Sequence, residues 1–307
     1  MSKSTISMYQ LFEMLSDEPT ARTYLEGRLW RDGITCPECK EQERITVRKG
    51  GYYRCNKCVL DFTVRTGTIF ERSHIPLQKW VYAMYALVTA RKGISSLQLA
   101  KEIGVTQKSA WFMLQRLREA MSAPDSIDKL RGIIELDECF IGGKERNKHD
   151  SKKLKAGRGS VGKTAVLGMR QRGGRTIAAP IEDRSLQTIT KAVHDNIEIG
   201  SQLYTDDHML FGDLDGLFFR HDAVNHSAGE YAVGPACTNS IESVWAVLKR
   251  GVHGVYHQVS AKHLARYVNE FAFRLNEGDV KRHTLERLNS FIDAVAGKRL
   301  TYKAVTA

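Results

Sequence analysis

Acidic side chains are in short supply in this 307-residue sequence: 35 Asp and Glu stand against 46 Lys and Arg, a formal charge of +11. That deficit favours a polyanionic partner held by phosphate contacts and counterion release. Long apolar runs are also missing, and none approaches the roughly 20 residues that span a bilayer, so no membrane association is expected. The opening stretch MSKSTISMYQLFEML has neither the apolar core nor the small-residue cleavage site of a secretory leader, so the expected location is cytoplasmic, with the nucleoid as its bacterial counterpart. There is no internal repeat and no low-complexity segment. Cysteine is sparse at six residues, but four of them form two CxxC pairs, a pattern that in a cytosolic chain means metal rather than disulfides.

What is present divides into five stretches, and the length allows two or three compact units. Residues 1–30 read as a helical segment, with Met8, Leu11, Phe12 and Leu15 spaced for one apolar face. Residues 31–65 carry the cysteine pairs among short β-like runs such as YYRC and DFTV. Residues 76–125 are helical, residues 131–280 alternate strand and helix patterns, and residues 281–307 form a polar, mixed tail. A basic linker, GKERNKHDSKKLKAGRGSVGK, occupies residues 143–163. Its GRGSVGKT portion echoes a phosphate loop, but the basic residues and glycines around it fit a flexible DNA-contacting loop better.

Cys36 and Cys39 lie in TCPECK, and Cys55 and Cys58 in YRCNKC, with 15 residues between the pairs. Two such knuckles joined by a β-hairpin suit a tetrahedral Zn²⁺ bound by four thiolates. With no open coordination position the zinc is structural, and it supplies folding energy that so short a segment lacks.

GISSLQLAKEIGVTQKSAWFMLQRLREAM has the rhythm of a helix-turn-helix. Leu97, Ala100 and Ile103 form one stripe, Gly104 takes the left-handed turn, and Val105 packs behind it. Thr106 caps the second helix, in which Ala110, Met113, Leu114 and Leu117 face inward. Gln107, Lys108, Gln115, Arg116 and Arg118 then face outward toward bases and phosphates. A helical hairpin without a DNA role has the same pattern.

From residue 131 the order is three meandering strands (RGIIELDECFIG, TAVLGMRQR, RTIAAPIE), a helix, the strand SQLYTDD, the strand LFFRHDAV and a long helix from Asn239. This is the order of a ribonuclease-H-like domain, in which the first and fourth strands are central neighbours. Asp137 and Asp206 fall on those strands, where a buried acid needs a partner or a metal, and together they make natural Mg²⁺ or Mn²⁺ ligands. In the last helix Ile241, Val244, Trp245 and Leu248 form an apolar stripe, while Asn239, Glu242, Ala246 and Lys249 share another face. Glu242 can therefore reach the aspartates, although an exposed polar face would look the same. Cys139, beside Asp137, reads as a packed strand cysteine rather than a nucleophile.

With these blocks in order, including WRDGITCPECK, KSAWFMLQRLREAM, ELDECFIGGKERNKH, LYTDD, TNSIESVWAVLKRGVHGVYHQVSAKHL and RYVNEFAFRLN, the chain resembles the zinc-ribbon transposases of the insertion-sequence 1595 family, within the Asp-Asp-Glu superfamily. The resemblance implies an α+β multidomain protein: an N-terminal zinc ribbon, a helix-turn-helix region and a ribonuclease-H-like α/β catalytic domain with a mixed sheet. It matches Asp137 and Asp206 to the catalytic aspartates and Lys249 to a downstream lysine. Family members carry Glu, Asn or His as the third group. Glu242, separated from Asp206 by 35 residues, fits the superfamily spacing, with Asn239 as the alternative. The implied chemistry is two-metal phosphoryl transfer, with Asp137 bridging two Mg²⁺ or Mn²⁺ ions: water first frees a 3′-hydroxyl, which then attacks target DNA. Lys144, His149, Lys249 and Arg250 are expected on the DNA backbone. Terminal inverted repeats, target DNA and a homodimer or higher oligomer are the implied partners. The rivals are a nuclease that does not join strands and a DNA-binding regulator.

Overall fold

The computed structural model describes residues 5–122, 128–143, 145–154, 159–206, 220–224, 237–278 and 282–307. They fall into two compact units, one made of residues 1–122 and 277–307, the other of residues 123–276.

The first unit opens with α1 (Met8–Met14), started by a capping box between Ser7 and Gln10, and α2 (Glu18–Leu29), capped by Asp17. A small antiparallel sheet follows in the order β1 (Ile45–Arg48), β2 (Tyr52–Cys55), β3 (Asp61–Phe62). The next helix, α3 (Leu77–Thr89), begins after Pro76, and nine of its residues are buried, as its near-continuous apolar run requires. Then come α4 (Ser96–Ile103) and α5 (Gln107–Ala120), capped by Ser95 and Thr106, with Gly104 between them in the left-handed region at φ 60°.

Two expectations about this helix pair are corrected. Leu99, not Leu97, joins Ala100 and Ile103 inside, and Leu97 is 58% exposed. The outward placement of Gln115, Arg116 and Arg118 also fails, since all three are buried. The reason is long-range: the Arg116 guanidinium donates to the carbonyls of Ile69 (2.9 Å), Glu71 (3.0 Å) and Leu300 (3.0 Å), and it lies over the Phe112 ring. A guanidinium satisfied by three backbone acceptors can sit in a core, and it is unavailable to DNA.

In the second unit β4 (Ile133–Ile141), β5 (Thr164–Gln171) and β6 (Thr176–Pro180) meander. They are followed by α6 (Leu186–Asn196), β7 (Gln202–Asp206), β8 (Arg220–Val224), α7 (Asn239–Gly251) and α8 (Ala261–Asn276). The sheet order is β6-β5-β4-β7-β8. β4 is antiparallel to β5 and parallel to β7, so the first and fourth strands of the unit are neighbours, as in ribonuclease-H-like domains. The pleat sends Ile134 and Leu136 to one face, where they pack with Ile189, Val193 and Leu203. Cys139 and Ile141 go to the other face, under Ile241, Trp245 and Leu248 of α7 and Val268 of α8.

The residues expected as a tail return to the first unit. α9 (Thr284–Asp293) buries Leu288, Phe291 and Ile292, a helical stripe, against α2 and α3. α10 (Tyr302–Thr306) follows it, with Val305 buried.

Candidate metal centres and active site

The two cysteine knuckles converge. Cys36 and Cys58 sulfurs are 3.6 Å apart, Cys39 and Cys55 sulfurs 3.5 Å, and all four ligand atoms lie within 4.8 Å of one another. A zinc–thiolate tetrahedron with bonds of about 2.3 Å has edges of about 3.8 Å, so the donor set fits this ion. Each knuckle turns in the same way: the residue after its second cysteine, Lys40 or Val59, takes a positive φ (59° and 63°). The Cys36 amide donates to the Glu41 carbonyl and the Cys55 amide to that of Leu60. Tyr53 and Phe62 stack on each other and meet Trp30 edge-on, which closes a small core around the ligands.

In the second unit the strand register makes the site. Glu135 pairs with Tyr204 in the parallel β4–β7 ladder, so two residues further on Asp137 is level with Asp206. Neighbouring strands lie roughly 4.8 Å apart and residues opposite one another in a parallel pair point to the same face, here the face covered by α7. Asp137 Oδ1 accepts from the Glu138 amide (2.7 Å), and Oδ2 accepts from Trp245 Nε1 (2.8 Å). Burial pushes the Asp137 carboxyl up to about 6, against the Glu138 amide and Trp245 hydrogen bonds that lower it, with the negative charges of Asp206 and Glu242 adding to the rise. Both of the other acids are therefore felt at Asp137. Asp137 and Asp206 are half-buried and Glu242 is exposed. The three carry the oxygen-donor chemistry of a divalent-cation site, although among the described residues the four cysteines are the only His, Cys, Asp or Glu side chains, three or more together, that converge on one point.

Other groups sort by surroundings. Glu138 is held by a bidentate pair with Arg184. Burial pushes the Cys139 thiol up to about 12, so it is a packing residue and no nucleophile. The positive charge of Lys249 is felt at Cys139, which places the exposed last turn of α7, Lys249 and Arg250, alongside the strand just past Asp137. Asn239 opens α7 with its side chain exposed, one turn ahead of Glu242. Gln107 and Lys108 are exposed on the first turn of α5, where Gln107 donates to Ser96 and Lys108 lies over the Tyr302 ring. His149 is exposed, and Lys144 lies outside the described residues.

Sequence reasoning assigned Trp245 to packing alone and overlooked Glu135, Arg172 and Gly168. Gly168 is the β5 partner of Asp137. A Cβ there would come within 2.4 Å of Trp245 Cη2 and 3.0 Å of Ile241 Cδ1. The glycine thus lets the indole lie on the sheet and reach Asp137; its one legible signal was an isolated glycine inside a strand. Gly168→Ala is expected to cost about 1–3 kcal/mol by overpacking, read by thermal denaturation. Cleavage should fall further than that loss explains, because Trp245 must leave Asp137. Unchanged stability and activity would show that the indole does not need the gap.

The second unit has the fold of ribonuclease-H-like nucleases and nucleotidyl transferases. The ISXO2-like transposase domain family matches residues 129–276, and the transposase zinc-ribbon domain family matches residues 16–60. An uncharacterized protein in transposable element ISH50 of Halobacterium salinarum is 31% identical over 272 residues, 84% of this chain and 90% of that protein. The chain belongs to the insertion-sequence 1595 family of transposases. Among solved structures, a simian T-cell lymphotropic virus intasome in complex with PP2A regulatory subunit B56 gamma is 12% identical over 60% of this chain and 66% of its own, with a TM-score of 0.28. A Mos1 transposase paired-end complex with left transposon end is 13% identical over 67% and 78%, with a TM-score of 0.22. Likenesses that faint decide nothing about this chain's chemistry. Among the described residues no helix is long and apolar enough to cross a membrane.

Proposed function

We propose that this protein is a metal-dependent DNA transposase that cleaves the 3′ ends of an element bounded by terminal inverted repeats and joins them to target DNA. The observation that carries the reading is the register that sets Asp137 level with Asp206 beneath the helix bearing Glu242. Asp137, Asp206 and Glu242 hold the divalent ions, which when bound stabilise the attacking and leaving oxygens of the phosphodiester. Glu242 is the third ligand in preference to Asn239, because its charge acts on Asp137 and a carboxylate is the harder donor.

In the first step a water oxygen attacks phosphorus and the bond to the 3′ oxygen breaks, leaving a 3′-hydroxyl and a 5′-phosphate. In the second that hydroxyl attacks a target phosphodiester, whose own 3′ oxygen leaves with the proton. The chain's residues position and neutralise: Trp245 and the Glu138 amide orient Asp137, and Lys249 and Arg250 meet backbone phosphates. Gln107 and Lys108, exposed on the first turn of α5, are the helix-turn-helix side chains that meet DNA. Joining two element ends to one target favours a dimer or larger assembly. In the test, purified protein, labelled end-containing DNA and Mg²⁺ are incubated with a target plasmid. Nicked and joined products are expected; nicking without joining would make the protein a nuclease, and DNA binding without either would make it a regulator.

A further inference from the structure

We propose that Glu135 is a positioning residue for the carboxylate site, clamping the start of α7 to the strand that carries Asp137 and so fixing where Glu242 stands; this rests on the metal-dependent reading of that site. Glu135 is 1% exposed, and its hydrogen-bond partners lie at the site. Its Oε2 accepts from the backbone amides of Ser240 (2.8 Å) and Ile241 (3.0 Å), in the first turn of α7. Its Oε1 accepts from Arg172 Nε (2.9 Å).

A helix normally caps its free amides with the side chain at its own N-cap. Here Thr238 makes no such bond, and its hydroxyl donates to Glu242 Oε1 at 3.4 Å instead. The cap comes from the sheet. A cap from within the helix would stabilise the helix wherever it lay, whereas Glu135 ties the backbone next to Glu242 to a point two residues, one pleat, before Asp137. Arg172 extends the tie: it donates to the Cys237 carbonyl (3.0 Å), just ahead of the helix, and its guanidinium lies 4.8 Å from the centre of the Tyr204 ring. Tyr204 is the strand partner of Glu135 and stands two residues before Asp206. One ion pair, its carboxylate buried and its guanidinium half-buried, thus touches the carriers of all three acids. Its charge compensation explains how a carboxylate survives there, and its connectivity explains why one is needed.

The experiment uses the full-length, zinc-loaded protein carrying Glu135→Gln. Glutamine keeps the size but cannot accept at both ends, so its amide nitrogen must oppose either Arg172 or the helix amides. Calorimetric Mn²⁺ titration should show affinity at the carboxylate site falling by about 10–100-fold, the range seen when groups supporting metal ligands are removed. Asp137→Ala, run in parallel, identifies that site. On end-containing DNA, kcat for cleavage should fall with little change in DNA affinity, and raised Mn²⁺ should restore part of it. Wild-type Mn²⁺ affinity in the variant would overturn the proposal, as would a lowered Tm with unaltered metal dependence. If Glu135→Gln does not fold, Glu135→Asp, which keeps the charge beside Arg172 but is one methylene too short for α7, faces the same criteria. If the wild type binds Mn²⁺ but neither cleaves nor joins, the transposase reading fails, and the Mn²⁺ titration alone decides the role of Glu135.

Discussion

Replacing Asp137 with Asn is expected to abolish cleavage and joining while making the metal-free protein more stable at neutral pH. The loss of activity follows from removing the acid level with Asp206, and a drop of at least about a thousandfold is expected for so central a group. The gain in stability follows from burial. In the folded chain the Asp137 carboxyl is raised from 3.8 to about 6, so the folded state binds its proton more tightly than the unfolded one. Stability is then full below pH 4 and is lost as pH rises through 6, by roughly 3 kcal/mol at most. Asn carries no charge and escapes that loss. Its amide can accept from only one of Trp245 and the Glu138 backbone, which returns about 1 kcal/mol. The net expectation at pH 7.5 is a gain of about 1–2 kcal/mol, shrinking to nothing or reversing near pH 4. Denaturant melts at both pH values, without added divalent ions, measure it. Mg²⁺ should then stabilise the wild type and leave the variant unmoved. A gain over the wild type no larger at pH 7.5 than at pH 4 would mean that Asp137 is not held against its charge.

Stripping zinc is expected to unfold the ribbon and spare the second unit. The ribbon's buried core consists of Cys36, Tyr53, Cys55 and Phe62, two of which are ligands. Remove the ion and half of that core becomes thiols lacking their common partner. Zinc binding in comparable peptides supplies about 10–16 kcal/mol, as much as the whole stability of a typical domain, about 5–15 kcal/mol. Chelation, or Cys55→Ser, should therefore erase amide-exchange protection across β1, β2 and β3 while leaving β4, β5 and β7 protected. Trp30, which packs edge-on against Tyr53 and Phe62, gives a fluorescence signal for the same event. Retained protection in β2 after zinc is gone would mean that the aromatic cluster suffices.

Much of this was legible in the sequence because it is local or periodic. The CxxC spacing, the Thr106 cap, the Gly104 turn and the order of strands around Asp137 and Asp206 all depend on neighbours in the chain. What escaped depends on distant ones. Arg116 looks like a DNA contact on a helical wheel until carbonyls from residues 69, 71 and 300 surround it. Glu135 looks like one more acid in an acid-bearing strand until the amides of residues 240 and 241 reach it. Leu97 and Leu99 both suit an amphipathic helix, and only the packing of α4 chooses between them. The proposed third ligand sits between these cases: periodicity puts Glu242 and Asn239 on one face, and only Glu242 acts by its charge on Asp137.

The return of residues 277–307 to the first unit also sets an order of events during synthesis. Leu288, Phe291, Ile292 and Val305 are core residues of a unit whose other parts lie before residue 123. At roughly 5–20 residues per second, the ribosome takes some 8–30 s to make the intervening unit. The nascent N-terminal helices must wait that long for their last apolar partners. The ribonuclease-H-like sheet, though second in the sequence, is thus in the first unit to have all its residues in hand. A chain cut before α9 would keep the whole second unit, Asp137, Asp206 and Glu242 included, beside a first unit that cannot close its core.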